Sequence, residues 1–238
     1  MNLKIATLKW LSVAVFTAVF ATSAMADDDV SISAGVRLWN NQWQANSFPL
    51  TQAGVTVASH ADSGSTLATI PVVSLRYKDF GLSASQFIEK SYTLSDGAGS
   101  ADNKRSETDV NLSYAFIPGL SASIGWKQVK WSDVEITGPT LALSGNAPIS
   151  SGFGIYGTGG IGWLDAKAAN FQTLKADYAL GEFGLTYSFD TNSNVLKGLT
   201  ATMGYRFQKI TGKNAPFANN RDVNDITSGM TFGLIGRF

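Results

Sequence analysis

The sequence has no cysteine and a single histidine, His60. Disulfides and thiolate metal sites are therefore excluded, and any chemistry that needs two histidines is excluded with them. Charge is scarce too. Charged residues make up 15% of the chain, against about 25% in an average soluble domain. The 18 basic and 18 acidic residues cancel, which leaves no electrostatic case for a nucleic-acid partner. Beyond residue 26 there is no apolar run long enough for a membrane helix.

What remains is rich in aromatics (11%) and in glycine (24 residues). Apolar residues alternate with small polar ones and so never accumulate into a run. Residues 1–26 read differently. Lys4 and Lys9 precede an apolar stretch from Trp10 to Phe20, and Ala24 and Ala26 supply the small-x-small pattern of a secretory signal peptide. Cleavage after Ala26 is expected, leaving residues 27–238 as a single domain. Loss of Lys4 and Lys9 leaves 16 basic residues against 18 acidic ones, about −2.

The alternation is sustained. Val30, Ile32, Ala34, Val36 and Leu38 alternate with Ser31, Ser33, Gly35, Arg37 and Trp39. The pentad "GLSAS" stands at 81–85 and 119–123, and "GLTAT" at 198–202, each just after a turn and each running on with an apolar residue at every second place. Such a period of two means strands with one apolar face. Ten strands can be placed, with eight or twelve as the neighbouring even counts. The fold class read from this is an all-β, antiparallel, up-and-down transmembrane β-barrel. The pentads open strands three, five and nine. Short turns are expected near 78–80, 117–118, 148–151 and 190–197. Longer outer loops are expected near 46–66, 93–105, 132–136, 165–173 and 211–225.

Two aromatic belts fit this placement. Tyr77, Phe80, Phe116, Phe153, Tyr187, Phe189 and Phe238 fall at the turn side, and Trp39, Trp43, Trp126, Trp131 and Trp163 at the loop side. The last strand, "GMTFGLIGRF", resembles the terminal strand of Gram-negative outer-membrane β-barrel proteins, with Phe232, Leu234 and Phe238 in the positions of the assembly signal and Gly236 a weak match. The resemblance implies an outer-membrane location, contact with outer-membrane lipid, and recognition by the barrel-assembly machinery. It carries no activity.

No catalytic, cofactor-binding or metal site is expected, and the chain reads as a non-enzyme. Outer-membrane hydrolases need a histidine beside an aspartate or serine at defined wall positions, and His60 lies in the polar run "ASHADSG". "GFGIYG" at 152–157 satisfies the dinucleotide fingerprint but lies within a strand. "DTNSN" at 190–194 lacks the glycine and glutamate of a calcium loop. The candidate functional residues are instead the charges at lumen-facing positions: Arg37, Arg76, Glu89, Asp109, Lys127, Glu182, Arg206 and Arg237. A ten-strand barrel tilted about 40° has a backbone radius of roughly 10 Å. These charges then either plug the barrel or line a narrow pore for small polar solutes. An adhesin acting through outer loops, with Phe48, Leu50 and Phe217 available for contact, is the alternative.

Overall fold

The computed structural model describes residues 30–46, 51–52, 55–56, 60–96, 99–168, 172–191, 193–215 and 221–238. The expected signal peptide and its cleavage site lie outside the described residues, as do Phe48, Leu50 and Phe217.

Ten long strands form one closed antiparallel wall: β1 (Val30–Asn46), β2 (Thr66–Tyr77), β3 (Phe80–Ser95), β4 (Ser100–Ile117), β5 (Leu120–Trp131), β6 (Val134–Ser150), β7 (Phe153–Ala168), β8 (Leu174–Asp190), β9 (Gly198–Ala215) and β10 (Arg221–Arg237). Each pairs with its chain neighbours, and β10 pairs with β1 to close the ring. The closure leaves no free edge, as an apolar surrounding requires. The pentads sit where their sequence put them, at the feet of β3, β5 and β9.

The register fixes the shape. Passing directly across the ladder from Ser33 leads through Ser74, Ser83, Asn111, Gly125, Thr140, Gly162, Tyr178, Ile210 and Asp225, and returns to β1 at Ala45, twelve residues above the start. A stagger of twelve over ten strands corresponds to a tilt of about 40° and a mean backbone radius of about 10 Å.

Side chains sort by parity. Val36, Leu38, Leu112, Ile124, Leu143, Ile161, Leu185, Met203 and Leu234 all point outward and are exposed. The turn-side ring of Tyr77, Phe80, Tyr114, Phe116, Phe153, Phe189 and Phe238 is also outward. It is tied by contacts such as Phe153–Tyr187 at 4.4 Å and Phe80–Tyr114 at 5.1 Å between ring centroids. The outer surface is thus an apolar band with an aromatic lower rim.

Several connections differ from expectation. Residues 132–136 form no long loop: Ser132 and Asp133 make a two-residue turn. The segment 46–66 does not stay outside the wall. It carries a small hairpin, Thr51–Gln52 with Val55–Thr56, and then rejoins the wall as the short strand His60–Ser63, which pairs with both β1 and β3. Part of the signal was visible: "HADS" resumes alternation before Gly64 interrupts it.

The aromatic belt needs one correction. Trp126 and Trp163 face outward, but Trp39 (1% exposed) and Trp43 (3%) are buried inside the barrel. Trp131 packs against them, its ring stacked on that of Trp43 at 5.6 Å. All three follow the inward parity of Arg37 and Lys127. Aromatic type alone misled, because a lumen closed by side chains takes large rings as readily as a lipid interface does.

Candidate functional site in the barrel lumen

The lumen has two unlike halves. On the turn side, inward positions are small and hydroxylated: Ser74, Ser83, Ser113, Ser121, Ser144, Thr186 and Thr202 follow the inward parity of their strands. On the loop side the interior is filled by a layer of charges and rings. Three of the expected cations are there. Arg37, Lys127 and Arg206 are all buried, as is Glu182, and Asp109 lies at the margin.

Glu182 on β8 is the hub of the lower layer. It accepts from Arg37 of β1, lies 3.5 Å from the Arg206 guanidinium of β9, and accepts from the Tyr156 hydroxyl of β7 at 3.0 Å. The Arg206 guanidinium lies over the Trp39 ring, 5.1 Å from its centroid. Above this, the Lys127 ammonium of β5 reaches Glu107 at 2.7 Å and Asp109 at 3.1 Å, both on β4, and sits 5.0 Å over the Tyr178 ring. Arg105 of β4 then pairs with Glu107 at 3.0 Å and with Asp225 of β10 at 2.8 Å. Asp225 also accepts from the Trp43 indole, and the Arg105 guanidinium is 5.1 Å from the Trp43 ring. Tyr92 closes the top, edge-on to Trp43 and donating to Asn41 at 2.7 Å.

Four cations (Arg37, Arg105, Lys127, Arg206) thus meet four carboxylates (Glu107, Asp109, Glu182, Asp225) in one network. Matching of opposite charges is what burial demands, since an isolated ion in a dry interior is far costlier than a matched pair.

One contact decides the geometry. The Gln208 amide of β9 donates to Glu107 of β4. These strands are five apart on a ring of ten, so the bond crosses the full width. Extended Gln and Glu side chains with one hydrogen bond span only ~12 Å, well short of a ~20 Å circular diameter. The section is therefore flattened at this level, and β4 and β9 approach across the short axis.

The remaining expected residues are placed as follows. Arg76 and Arg237 hold inward positions at the turn-side mouth, where the Arg76 guanidinium donates to the Lys78 carbonyl at 2.7 Å. Glu89 is not in the lumen. A bulge between Phe87 and Lys90 shifts the register, so Glu89 turns outward and pairs with Lys104 at 3.3 Å on the exposed face. Phe232 and Leu234 face outward, and Phe238 is held to Ile32 through its backbone N–H at 2.8 Å.

Sequence reasoning missed Arg105, Glu107, Gln208 and Asp225. The signal existed for three of them: Glu107 and Arg105 continue the inward parity of Asp109 one and two steps up β4, Arg105 at the edge of a segment read as loop, and Gln208 alternates with Phe207 on the inward side of β9. Asp225 likewise lies in a stretch read as loop. His60 is at the loop-side rim, exposed and in contact with Asp62 of the same short strand.

No protein-family model matches the chain, and no curated protein matches it. Among solved structures, the outer membrane protease OmpT from Escherichia coli is similar in fold, with a TM-score of 0.53 at 10% identity over 92% of this chain and 100% of that one. A FadL homologue from Pseudomonas aeruginosa has a TM-score of 0.39 at 9% identity, covering 89% of this chain and 90% of that chain. The Pseudomonas putida toluene transporter TodX has a TM-score of 0.34 at 8% identity, with the same coverages. The first likeness shows the fold, that of an outer-membrane barrel. The other two are too distant to carry an argument.

Proposed function

We propose that this chain is a bacterial outer-membrane barrel whose lumen is closed to solute flow, a plugged barrel rather than a pore. The observation that carries the reading is the Gln208–Glu107 bond across the short axis, within a layer of four basic and four acidic side chains. The apolar outer band, the turn-side aromatic rim and the terminal Phe238 support membrane insertion, with the short turns toward the periplasm. Export through a cleaved signal peptide and handling by the barrel-assembly machinery belong to the same reading, as does a non-enzymatic role. OmpT's protease activity stays with that protein, since 10% identity carries only the fold.

The test is conductance. Purified protein in a planar bilayer should give no steps, and swelling of vesicles carrying it should match empty vesicles for small sugars. Regular ion-conducting steps from wild-type protein would refute the plug and restore the narrow-pore reading for small polar solutes.

A further inference from the structure

The repeated pentads share an inner face. In "GLSAS" the glycine and both serines take inward positions: Gly81, Ser83 and Ser85 in β3, and Gly119, Ser121 and Ser123 at the foot of β5. "GLTAT" sets Gly198, Thr200 and Thr202 the same way in β9. Side chains this small cannot fill a wall of about 10 Å radius, so the lumen below the charge layer stays hollow. On β8 the drop from Glu182 to Ser188 gives this chamber a depth of ~15 Å at a tilt of about 40°.

Two recesses open within the chamber. One encloses about 490 Å³, solvent at its mouth included, and its lining includes Arg76, Asp79, Ser113, Ser121, Asn146 and Thr158. The other, about 430 Å³ on the same terms, shares Asn146 with it and reaches Thr186 and Ser188.

Local geometry builds the first recess. Arg76 faces Gly81 across the β2–β3 ladder, and Gly81 faces Ser113 across the β3–β4 ladder. With no side chain on Gly81, the arginine has room to reach into the lumen. Its Nε donates to the Lys78 carbonyl at 2.7 Å, which fixes the guanidinium plane and leaves the two Nη groups for a ligand. Gly119 has φ +82°, and a Cβ there would stand 2.5 Å from the Asn146 carbonyl oxygen. The Gly119 carbonyl accepts from the Asn146 N–H at 2.8 Å and so holds Asn146 in the wall. Ser121, Ser144 and Thr158 follow on one rung across β5, β6 and β7, with the Ser144 and Thr158 hydroxyls 3.0 Å apart.

The charges here differ from those above. In the charge layer Arg37, Arg105, Lys127 and Arg206 each have a carboxylate. Arg76 and Asp79 line one recess, yet among the described residues neither has an ion pair, with the other or with a third group. One cation, one anion and a set of neutral hydroxyls with an amide suit a molecule that carries both signs.

We infer that this recess binds a small zwitterion, a free amino acid with a short polar side chain. Its carboxylate lies on the Arg76 guanidinium, its ammonium on Asp79, and its side chain against Ser121, Ser144 and Asn146. A neutral sugar would leave both charges without a partner, and a simple anion would meet Asp79. The inference rests on the proposed plug only in giving the chamber a single mouth, on the turn side.

The test is titration of the refolded full-length protein in detergent micelles, read by amide chemical shifts. L-serine should shift the amides of Gly81, Ser113, Ser121 and Asn146 saturably. Acetate, ethylammonium and glycerol each carry one feature of the ligand and should bind about tenfold more weakly or worse. Arg76→Gln and Asp79→Asn should each weaken serine binding about tenfold, and Arg76→Lys should lose less than Arg76→Gln, since it keeps the charge without the fork. No saturable shift up to ~100 mM serine, equal binding of any of the three simpler compounds, or unchanged affinity in Arg76→Gln and Asp79→Asn overturns the site. If a variant fails to refold, the wild-type comparison of serine with the three simpler compounds decides alone. None of these readouts measures conductance. Ion-conducting steps together with serine binding would remove the plug and keep the site, and a silent bilayer without serine binding would do the reverse.

Discussion

Lys127→Met tests the plug most directly. The ammonium is fully buried, 2.7 Å from Glu107 and 3.1 Å from Asp109. At an effective dielectric of about 20, each contact is worth about 5–6 kcal/mol of Coulomb energy, most of it offset by the loss of hydration. The net value of the intact cluster is therefore modest, but removing one partner is not. Methionine conserves the side-chain volume, leaves Glu107 with Arg105 and Gln208, and strips Asp109 of its ion pair. An uncompensated buried charge costs about 3–5 kcal/mol; Asp109 is 15% exposed, so the lower end of that range applies. With a guanidinium dependence of roughly 2–6 kcal/mol per molar, the unfolding midpoint in lipid vesicles should fall by about 1 M, read by tryptophan emission in both directions. Adding Asp109→Asn should recover part of the loss, because it removes the stranded charge. A Lys127→Met midpoint equal to wild type would refute the reasoning: it would mean that the ammonium is hydrated and the layer is not dry.

Other expectations follow from the same contacts. Arg206→Glu sets two carboxylates against each other at Glu182, within the 3.5 Å that Arg206 now spans. It should lower the heat-modification temperature more than Arg206→Gln, and an equal effect would place Arg206 outside the network. Gly229→Ala should impair folding, since an added Cβ would stand 1.9 Å from the Asn40 carbonyl oxygen in the β1–β10 ladder; normal yield on refolding would show that this closing seam can spread. At the loop end of β9 and β10, beyond the apolar band, the Asn214 backbone N–H and Lys213 hold Asp222 below the ordinary carboxylate range. Lys213 is itself held upward by hydrogen bonds to Asp222 and Asp177. A depressed carboxylate stabilises above its unfolded value and ceases to do so as pH falls through its folded one. A raised amine stabilises below its unfolded value and loses that contribution as pH rises through its folded one. Amide protection of Lys213–Asn214 should therefore be level from pH 5 to 9 and drop below about pH 4; a drop near pH 6 would implicate another group.

The order of strands and the side on which each residue lies were legible in the sequence, because a strand's period of two needs no knowledge of its neighbours. Val36 outward with Arg37 inward, and Leu120 outward with Lys127 inward, follow from parity alone. So does the count of ten, since each alternating run ends in a turn. What parity cannot supply is register. The twelve-residue stagger comes from ten separate pairings, and it brings Gln208 opposite Glu107, a hundred residues earlier in the chain. Parity also fails where the ladder breaks. One bulge after Phe87 turned Glu89 from the lumen to the surface, and the β2–β3 ladder stops short of Pro71, where the alternation of β2 read like any other strand. Trp39 and Trp43 show the remaining gap. Their inward direction could be read from the sequence, but their role could not, because a ring filling a flattened lumen and a ring at a lipid interface have the same residue type. Only the closure of the wall, which sets the width of the space within, decides between them.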